Sequence, residues 1–384
     1  MNILTVCHFG LYRDLSDSFV HAQMREYARL GHRVRVVIPI ALGKADWNGS
    51  RTAADLWSAD GVELIPVRYL SLSGYGERSF NTRSALWALR CALKRLLDGF
   101  DPDVIHAHTL GFDSEIGAWL KSRLHCPLVV TTHGSDTADL LEQGEKNRLQ
   151  AFCNKADRIV AVSSVLGRKV ESCGTAAPVT SILNGFALQH LPEDADKQPL
   201  SFIQVGNLTA QKRFSVTIQA FARICQRYAD ATLTVIGSGG EEQALKALCA
   251  ELGIAHRVRF LGQVPNREVL AEMAKAQFFV MPSVNEGFGI VYLEAMACGC
   301  ITIGTEGEGI SDLICSGENG FLVPADEPEA IAAAVQRCID DAQLAEAIAR
   351  RGSDDARQLT WAANADAYLT LFTQLIATSS KGVS

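Results

Sequence analysis

No run in this 384-residue chain approaches the roughly 18 consecutive apolar residues that a helix needs to cross a bilayer. Residues 1–10 carry neither a basic leader nor a small-residue cleavage site. They read as a first strand, and a cytoplasmic location is expected. Cys298 and Cys300 form a C-x-C with no second pair at zinc-site spacing, and the eleven cysteines are scattered and odd in number. Reduced, mostly buried thiols are expected there, and no metal site. A G-x-G-x-x-G fingerprint is also missing. Gly237-Ser238-Gly239-Gly240 is a glycine-rich turn, but no acidic residue follows at the later strand end that a dinucleotide would need. Excess positive charge is lacking too. The net charge of −7 argues against a general nucleic-acid binder.

What is present is ordinary globular composition, 48% apolar and 21% charged, in a length that suggests two domains. The charge is uneven. Residues 1–190 hold 21 Lys and Arg against 19 Asp and Glu, and the remainder holds 15 against 24. The first half is the one suited to an anionic acceptor or surface. Short β-branched runs alternate with segments of helical period, the pattern of parallel α/β sheets. Strands are expected at 2–7, 33–38, 62–67, 103–107, 128–132 and 158–162. The rhythm restarts with strands at 201–205, 232–236, 257–261, 277–281 and 301–303. The polar stretch 190–199 reads as a linker. The expectation is a domain over 1–189 and another over 200–360, with an amphipathic helix at 361–376 joined to the first. Two such units imply a cleft, and ligands of open α/β sheets bind beyond the carboxyl ends of the strands.

Candidate chemistry is therefore expected just after each strand. The densest signal is PSVNEGFGIVYLEAMACG at 282–299. Glu286 falls in a loop and Glu294 in the following helix, with Gly287 and Gly289 around Phe288. Glycines let a ligand approach the backbone, and free N–H groups at a helix start suit phosphate. Two carboxylates suit hydroxyl groups instead. A nucleotide sugar offers both. The plain alternative is a cap at Glu286 and an exposed helix residue at Glu294. The second signal is VGNLTAQKRF after the strand at 201–205. Lys212, just before a helix, opposes the helix dipole unless it holds an anion. Arg213 could do the same. The third is TTHGSD at 131–136, with His133 after a strand end and Asp136 as a hydroxyl-binding or capping group. His106 and His108 alternate onto one face, as structural histidines near the cleft or, less simply, a metal pair.

Together these motifs resemble the family 4 retaining glycosyltransferases of the GT-B fold, two Rossmann-like doubly wound domains facing a central cleft. The resemblance is strongest over 201–324 and includes EGFGIVYLEAMACG, VIGSGGEE, VRFLGQVP and ENGFLVP. It implies that Glu294 binds the ribose and Glu286 the donor sugar. It sets the backbone of Gly287, Phe288, Gly289 and Ile290 against phosphate or sugar. Lys212 would neutralise the leaving diphosphate, with Gly206 and Gly237 lining that side and Val264 beside the base. His133 would sit by the reacting centre, with His108 and Asp136 on the sugar side and Gly10 in a turn over the phosphates. One departure stands out: Asn207 occupies the position where the family usually has arginine, and Lys212-Arg213 replaces Lys-Gly. The resemblance implies a UDP- or GDP-linked sugar and no metal or further cofactor. The acceptor would be a hydroxyl of a lipid-linked or growing saccharide. Residues 78–97 read as a basic amphipathic helix, fit for an anionic membrane surface or simply for the core with solvated cations. The rival readings are another sugar-nucleotide enzyme such as an epimerase, a phosphorylase, or a non-catalytic two-lobed sugar-binding protein. No site for a lysine-held pyridoxal phosphate stands out, and a binding protein would normally be exported.

Overall fold

The computed structural model describes residues 1–8, 19–42, 57–71, 78–188, 191–192 and 196–380. The chain divides into two compact units, Met1–Gly185 with Trp361–Ser384, and Phe186–Thr360.

The first unit is built on a seven-stranded parallel sheet in the order β3-β2-β1-β4-β5-β6-β7. Its strands are β1 (Asn2–Val6), β2 (Arg33–Ala41), β3 (Val62–Tyr69), β4 (Val104–Ala107), β5 (Leu128–Thr132), β6 (Arg158–Ala161) and β7 (Val179–Ser181). β4 and β5 are buried at every position, and β1 at all but its first. Continuous burial is what helices on both faces of a parallel sheet produce, and it explains why these strands read as unbroken apolar runs. The helices are α1 (Phe19–Arg29), α2 (Arg78–Leu96), α3 (Phe112–Leu124), α4 (Ser135–Glu142), α5 (Lys146–Cys153) and α6 (Ser164–Glu171). The strand order reverses between β1 and β4, so the chain diverges there and leaves a crevice at the carboxyl ends of the strands.

The second unit repeats the plan with six parallel strands in the order β10-β9-β8-β11-β12-β13. They are β8 (Gln198–Val205), β9 (Thr232–Ile236), β10 (Val258–Gly262), β11 (Ala276–Val280), β12 (Ile301–Thr305) and β13 (Phe321–Val323). Helices α7 (Phe214–Cys225), α8 (Glu242–Glu251), α9 (Asn266–Lys275), α10 (Ile290–Ala297), α11 (Pro328–Asp340) and α12 (Ala342–Gln358) cover it. The reversal falls between β8 and β11. The core is aromatic at its centre, where Phe202 stacks on Phe278 with centroids 4.9 Å apart.

Three features depart from the sequence expectation. β8 begins at Gln198, so the last residues of the expected linker are already sheet. Lys197, just before it, donates to the carbonyls of Cys298 at 2.6 Å and Met273 at 3.0 Å. A cation at those two helix ends is favoured by the helix dipoles. The three-residue edge strands β7 and β13 were also not anticipated. The final helix, α13 (Trp361–Ser380), runs four residues beyond the expected end. Tyr368 and Phe372 lie fully inside the core of the first unit, against Tyr27 of α1 and His106 of β4.

Because Phe372 is completely buried among that cluster, Phe372→Ala should remove both its transfer energy and its packing, about 3–5 kcal/mol. Urea unfolding should show the loss in the transition of the first unit, with the second unit unaffected.

Candidate active site

The carboxyl ends of β8, β9 and β10 are tied together through their backbones. The N–H of Gly206 donates to Ile236 at 3.0 Å, and that of Gly237 donates to Gly262 at 2.8 Å. A Cβ on Gly237 would stand 1.9 Å from the Gly206 carbonyl oxygen, and Gly237 has a φ of +134°. Only glycine fits. The turn 237–240 is thus packed onto the loop that follows β8. The stem of Lys212 lies beside Gly206, where a Cβ would stand 3.7 Å from its carbons. Lys212 itself ends the 3-10 turn Ala210–Lys212, and its carbonyl accepts from the fully buried Gln204 side chain at 2.7 Å. Its ammonium is paired with the Glu286 carboxylate, both largely buried.

Glu286 is held by its main chain as well. Glu308 accepts from the N–H groups of Asn285 at 2.9 Å and Glu286 at 3.0 Å. Gln211 reaches the Asn285 carbonyl at 3.0 Å, and its own carbonyl accepts from Val284 at 3.0 Å. Asn285 takes a φ of +55°, a conformation that asparagine tolerates better than most residues. Behind this loop, a Cβ on Gly309 would fall 2.1 Å from the Gly287 carbonyl oxygen. Gly289, at φ +83°, precedes α10, where a Cβ would meet the Tyr292 ring at 2.7 Å. Phe288 is buried, so its contribution is packing while its neighbours present backbone. Glu294, two turns into the segment, accepts from the Asn266 amide at 3.3 Å. Asn266 opens α9 two residues after the half-buried Val264. Glu294 and the loop bearing Val264 are therefore neighbours at the ends of α10 and β10.

Arg213 is placed differently from the sequence expectation of an anion-holding group. It adopts a left-handed conformation at φ +51°, and its guanidinium pairs with Asp326 at 2.9 Å and donates to Ala210. The adjoining Asn207 is exposed. Lys212 is the cation that faces Glu286.

In the first unit, His133 lies just past β5. Its Nε2 is 3.3 Å from Nδ1 of His108, and the two rings are stacked 6° from parallel. His108 is in ring contact with His106, whose Nε2 meets Thr131 Oγ1 at 2.8 Å; Thr131 in turn meets the Tyr368 hydroxyl at 2.9 Å. His106 and His108 do share a face, as alternation requires, and they are joined to one another and to His133. Burial holds His133 down to about 3. Burial, helped by the neighbouring His133, does the same to His106. All three rings are neutral at physiological pH. Asp136 accepts from the Leu110 N–H at 2.8 Å, from Thr132 Oγ1 at 2.8 Å and from the Gly134 N–H at 3.1 Å. It fastens the loop after β4 to the loop after β5. Gly10 lies outside the described residues.

A histidine–carboxylate contact was not anticipated. His8, at the end of β1, meets the fully buried Asp113 at 2.9 Å. Burial lowers the His8 pKa, but Asp113 outweighs it and the net shift is upward.

Two family models match, one to each unit. Residues 17–190 match Glycosyltransferase Family 4, and residues 189–355 match Glycosyl transferases group 1. The chain belongs to the family 4 glycosyltransferases. Among this glycosyltransferase's relatives is the phosphatidyl-myo-inositol mannosyltransferase of Mycobacterium leprae, 28% identical over 300 residues, covering 77% of this chain and 79% of that one. A glycosyltransferase of Methanocaldococcus jannaschii is 28% identical over 271 residues, covering 70% and 74%. Anabaena Alr3699/HepE, solved with UDP and glucose, superposes with a TM-score of 0.76 at 21% identity over 98% of this chain and 100% of that one. The two-unit, all-parallel architecture is that of GT-B glycosyltransferases.

Sequence reasoning missed Glu308, Gln211, Gln204 and Asn266 in this site. Their partners are mostly main-chain groups, which no residue spacing advertises. The one available signal was that Glu308 lies in a glycine-rich loop just after β12, the same kind of position that drew attention to Glu286.

The buried histidines predict acid sensitivity of the first unit. His106 and His133 titrate near 6.5 when unfolded and near 3 when folded. The unfolded chain therefore binds more protons between pH 3 and 6.5. Stability of the first unit should fall as pH drops through that window, by up to about 1.4 kcal/mol per pH unit for each ring. Melting temperatures at pH 7, 5.5 and 4.5 measure this slope, and His133→Asn should flatten it.

Proposed function

We propose that this glycosyltransferase moves a sugar from a UDP- or GDP-linked donor to a hydroxyl of a lipid-linked or growing saccharide, with retention of anomeric configuration and without a metal. The observation that carries the reading is the Lys212–Glu286 pair at the sheet reversal of the second unit, beside backbone kept bare by Gly206, Gly287 and Gly289. A cation suited to a diphosphate and a carboxylate suited to sugar hydroxyls meet at the same point, which supports this reading. Glu294 and Asn266, next to Val264, suit a ribose and base. The Anabaena protein with UDP and glucose has the same fold, which supports a nucleotide-sugar donor.

In this reading, Lys212 and the backbone N–H groups at the start of α10 stabilise the diphosphate as the bond from sugar to phosphate breaks. Family resemblance assigns His133, kept neutral, to the transferred sugar. No carboxylate is assigned as a covalent nucleophile. The acceptor oxygen attacks on the face the diphosphate leaves, and the leaving phosphate oxygen takes the acceptor's proton. Glu286 orients the sugar through its hydroxyls. Asn207 makes the phosphate side less cationic than in most relatives, since Arg213 is held by Asp326.

Glu286→Ala should abolish transfer, and a near-normal rate would sink its role. Lys212→Ala should lower kcat by about 100-fold or more, the scale of removing one group that stabilises developing charge. Thermal shift against UDP-, GDP- and ADP-sugars should show one base preferred, since a ligand that binds the folded state raises the melting temperature. Proton NMR of the product reads the anomeric outcome, and inversion would overturn the retaining mechanism. Turnover should persist in EDTA.

A further inference from the structure

Three imidazoles lie together at the carboxyl ends of two neighbouring strands of the first unit. His106 is in β4, His108 stands just past it, and His133 stands just past β5. His106 and His108 are fully buried, and His133 is half-buried. Each ring is neutral, so each carries one N–H and one lone pair. The hydrogen bond made by one nitrogen decides which of the two holds the proton.

His108 has a partner at one nitrogen only. Its Nδ1 is 3.3 Å from Nε2 of His133, and its Nε2 is buried with no hydrogen-bond partner among the described residues. An orphaned N–H is rarer in protein interiors than an under-used acceptor. The proton of His108 therefore sits on Nδ1 and is donated to His133. The ring geometry agrees. The planes are 6° from parallel and the centroids 5.6 Å apart, the separation of two imidazoles whose facing nitrogens lie on the line between their centres. The N–H of one ring then points along the lone pair of the other. Phe19 packs on His133 with centroids 4.6 Å apart and holds the ring in this alignment. The same accounting applies to His106. Its Nδ1 is buried without a partner among the described residues, and its Nε2 meets Thr131 Oγ1 at 2.8 Å. Its proton is then on Nε2, directed away from His108, against which it packs with centroids 4.2 Å apart.

We propose that His108 is a positioning residue for the transfer reaction: by donating from Nδ1 to Nε2 of His133, it fixes the proton of His133 on Nδ1. With Nε2 occupied, His133 meets the transferred sugar as a hydrogen-bond donor through Nδ1 and does not serve as a base. The acceptor's proton is then left to the departing phosphate oxygen, as in the mechanism above. The low basicity of His133 is consistent with this arrangement. Burial holds it down to about 3, and an N–H aimed at its Nε2 opposes protonation further. Imidazole in water favours the Nε2–H form. Without His108, the proton of His133 would move to Nε2 and the nitrogen at the sugar would turn from donor to acceptor. The inference rests on the proposed place of His133 beside the donor sugar and adds the residue that sets its proton.

The test is heteronuclear NMR of the full chain carrying isotope-labelled histidine, at neutral pH, with the His133 ring signals assigned through bonds. His133 is expected to be protonated at Nδ1 and bare at Nε2. His108→Leu keeps an apolar side chain in the buried position but cannot donate. It should move the proton of His133 to Nε2 and lower kcat by about tenfold, the scale of one neutral hydrogen bond lost in the transition state, with the donor KM nearly unchanged. His108→Asn sets an amide N–H where Nδ1 stands, so it should restore the Nδ1 form and most of kcat. A merely structural role for His108 would lower both variants alike and leave the tautomer in place. Protonation of His133 at Nε2 in the unaltered protein, an unchanged tautomer in His108→Leu, or equal loss of kcat in the two variants would each overturn the proposal. The first of these is read on the unaltered chain and needs no variant to fold. A near-normal rate in His133→Asn would instead remove His133 from the reaction. The tautomer is read without turnover, so the two failures are distinguishable.

Discussion

Backbone rests directly on backbone at the carboxyl end of the second sheet, and the site depends on that contact. Gly237 lies against Gly206, Gly239 against Leu208 and Gly309 against Gly287. At each place a Cβ would come within 1.9 to 2.4 Å of a carbonyl oxygen. With side chains there, the loops after β8, β9, β11 and β12 would separate. Lys212 and Glu286 belong to two of those loops, 74 residues apart in sequence. They meet because Gln211 bonds to Asn285 and Val284 across those two loops, while the glycine contacts pack each loop on its outer neighbour. Small residues here do more than leave space for a ligand. They hold each of the two loops against its outer neighbour.

Close stacking leaves backbone N–H and carbonyl groups that need partners, and carboxylates and amides supply them. Glu308 takes the N–H groups of Asn285 and Glu286, and Gln211 takes the Asn285 carbonyl. Gln204, at the end of β8, holds the carbonyl of Lys212. The chemistry-bearing residues are thus fixed by their main chains, which leaves their side chains to meet a ligand. The first unit uses the same device at lower charge. Asp136 ties the loops after β4 and β5, and a column of neutral rings and hydroxyls runs from His133 to Tyr368 of the final helix.

The parallel strands were legible because burial on both faces writes itself into sequence as short apolar runs. The edge strands Val179–Ser181 and Phe321–Val323 were not legible, since three residues carry no period. Glu286, Glu294, Lys212 and His133 could be picked out because each follows a strand end at a spacing with a chemical reason. Arg213 shows the limit of that reasoning. Its place beside Lys212 suggests a second phosphate ligand, but a left-handed backbone and Asp326, 113 positions later, turn it elsewhere. Sequence neighbours share a location only where the backbone between them is regular. Asn266 and Glu308 escaped for the opposite reason, being ordinary polar residues whose partners come from distant loops.

The Lys212–Glu286 pair also constrains how the proposed donor would be recognised. The two charges neutralise one another in a part of the molecule with little solvent, where separation is costly. A diphosphate that draws Lys212 away leaves a buried carboxylate beside new negative charge, which is unfavourable on its own. Sugar hydroxyls remove that cost by donating to Glu286. Phosphate and sugar therefore favour each other's binding through one ion pair, and a nucleotide lacking its sugar meets only half of the exchange. The pairing that looks like simple neutralisation would thus act as a selection for the complete nucleotide sugar, built on the Gln211 bonds that join the two loops.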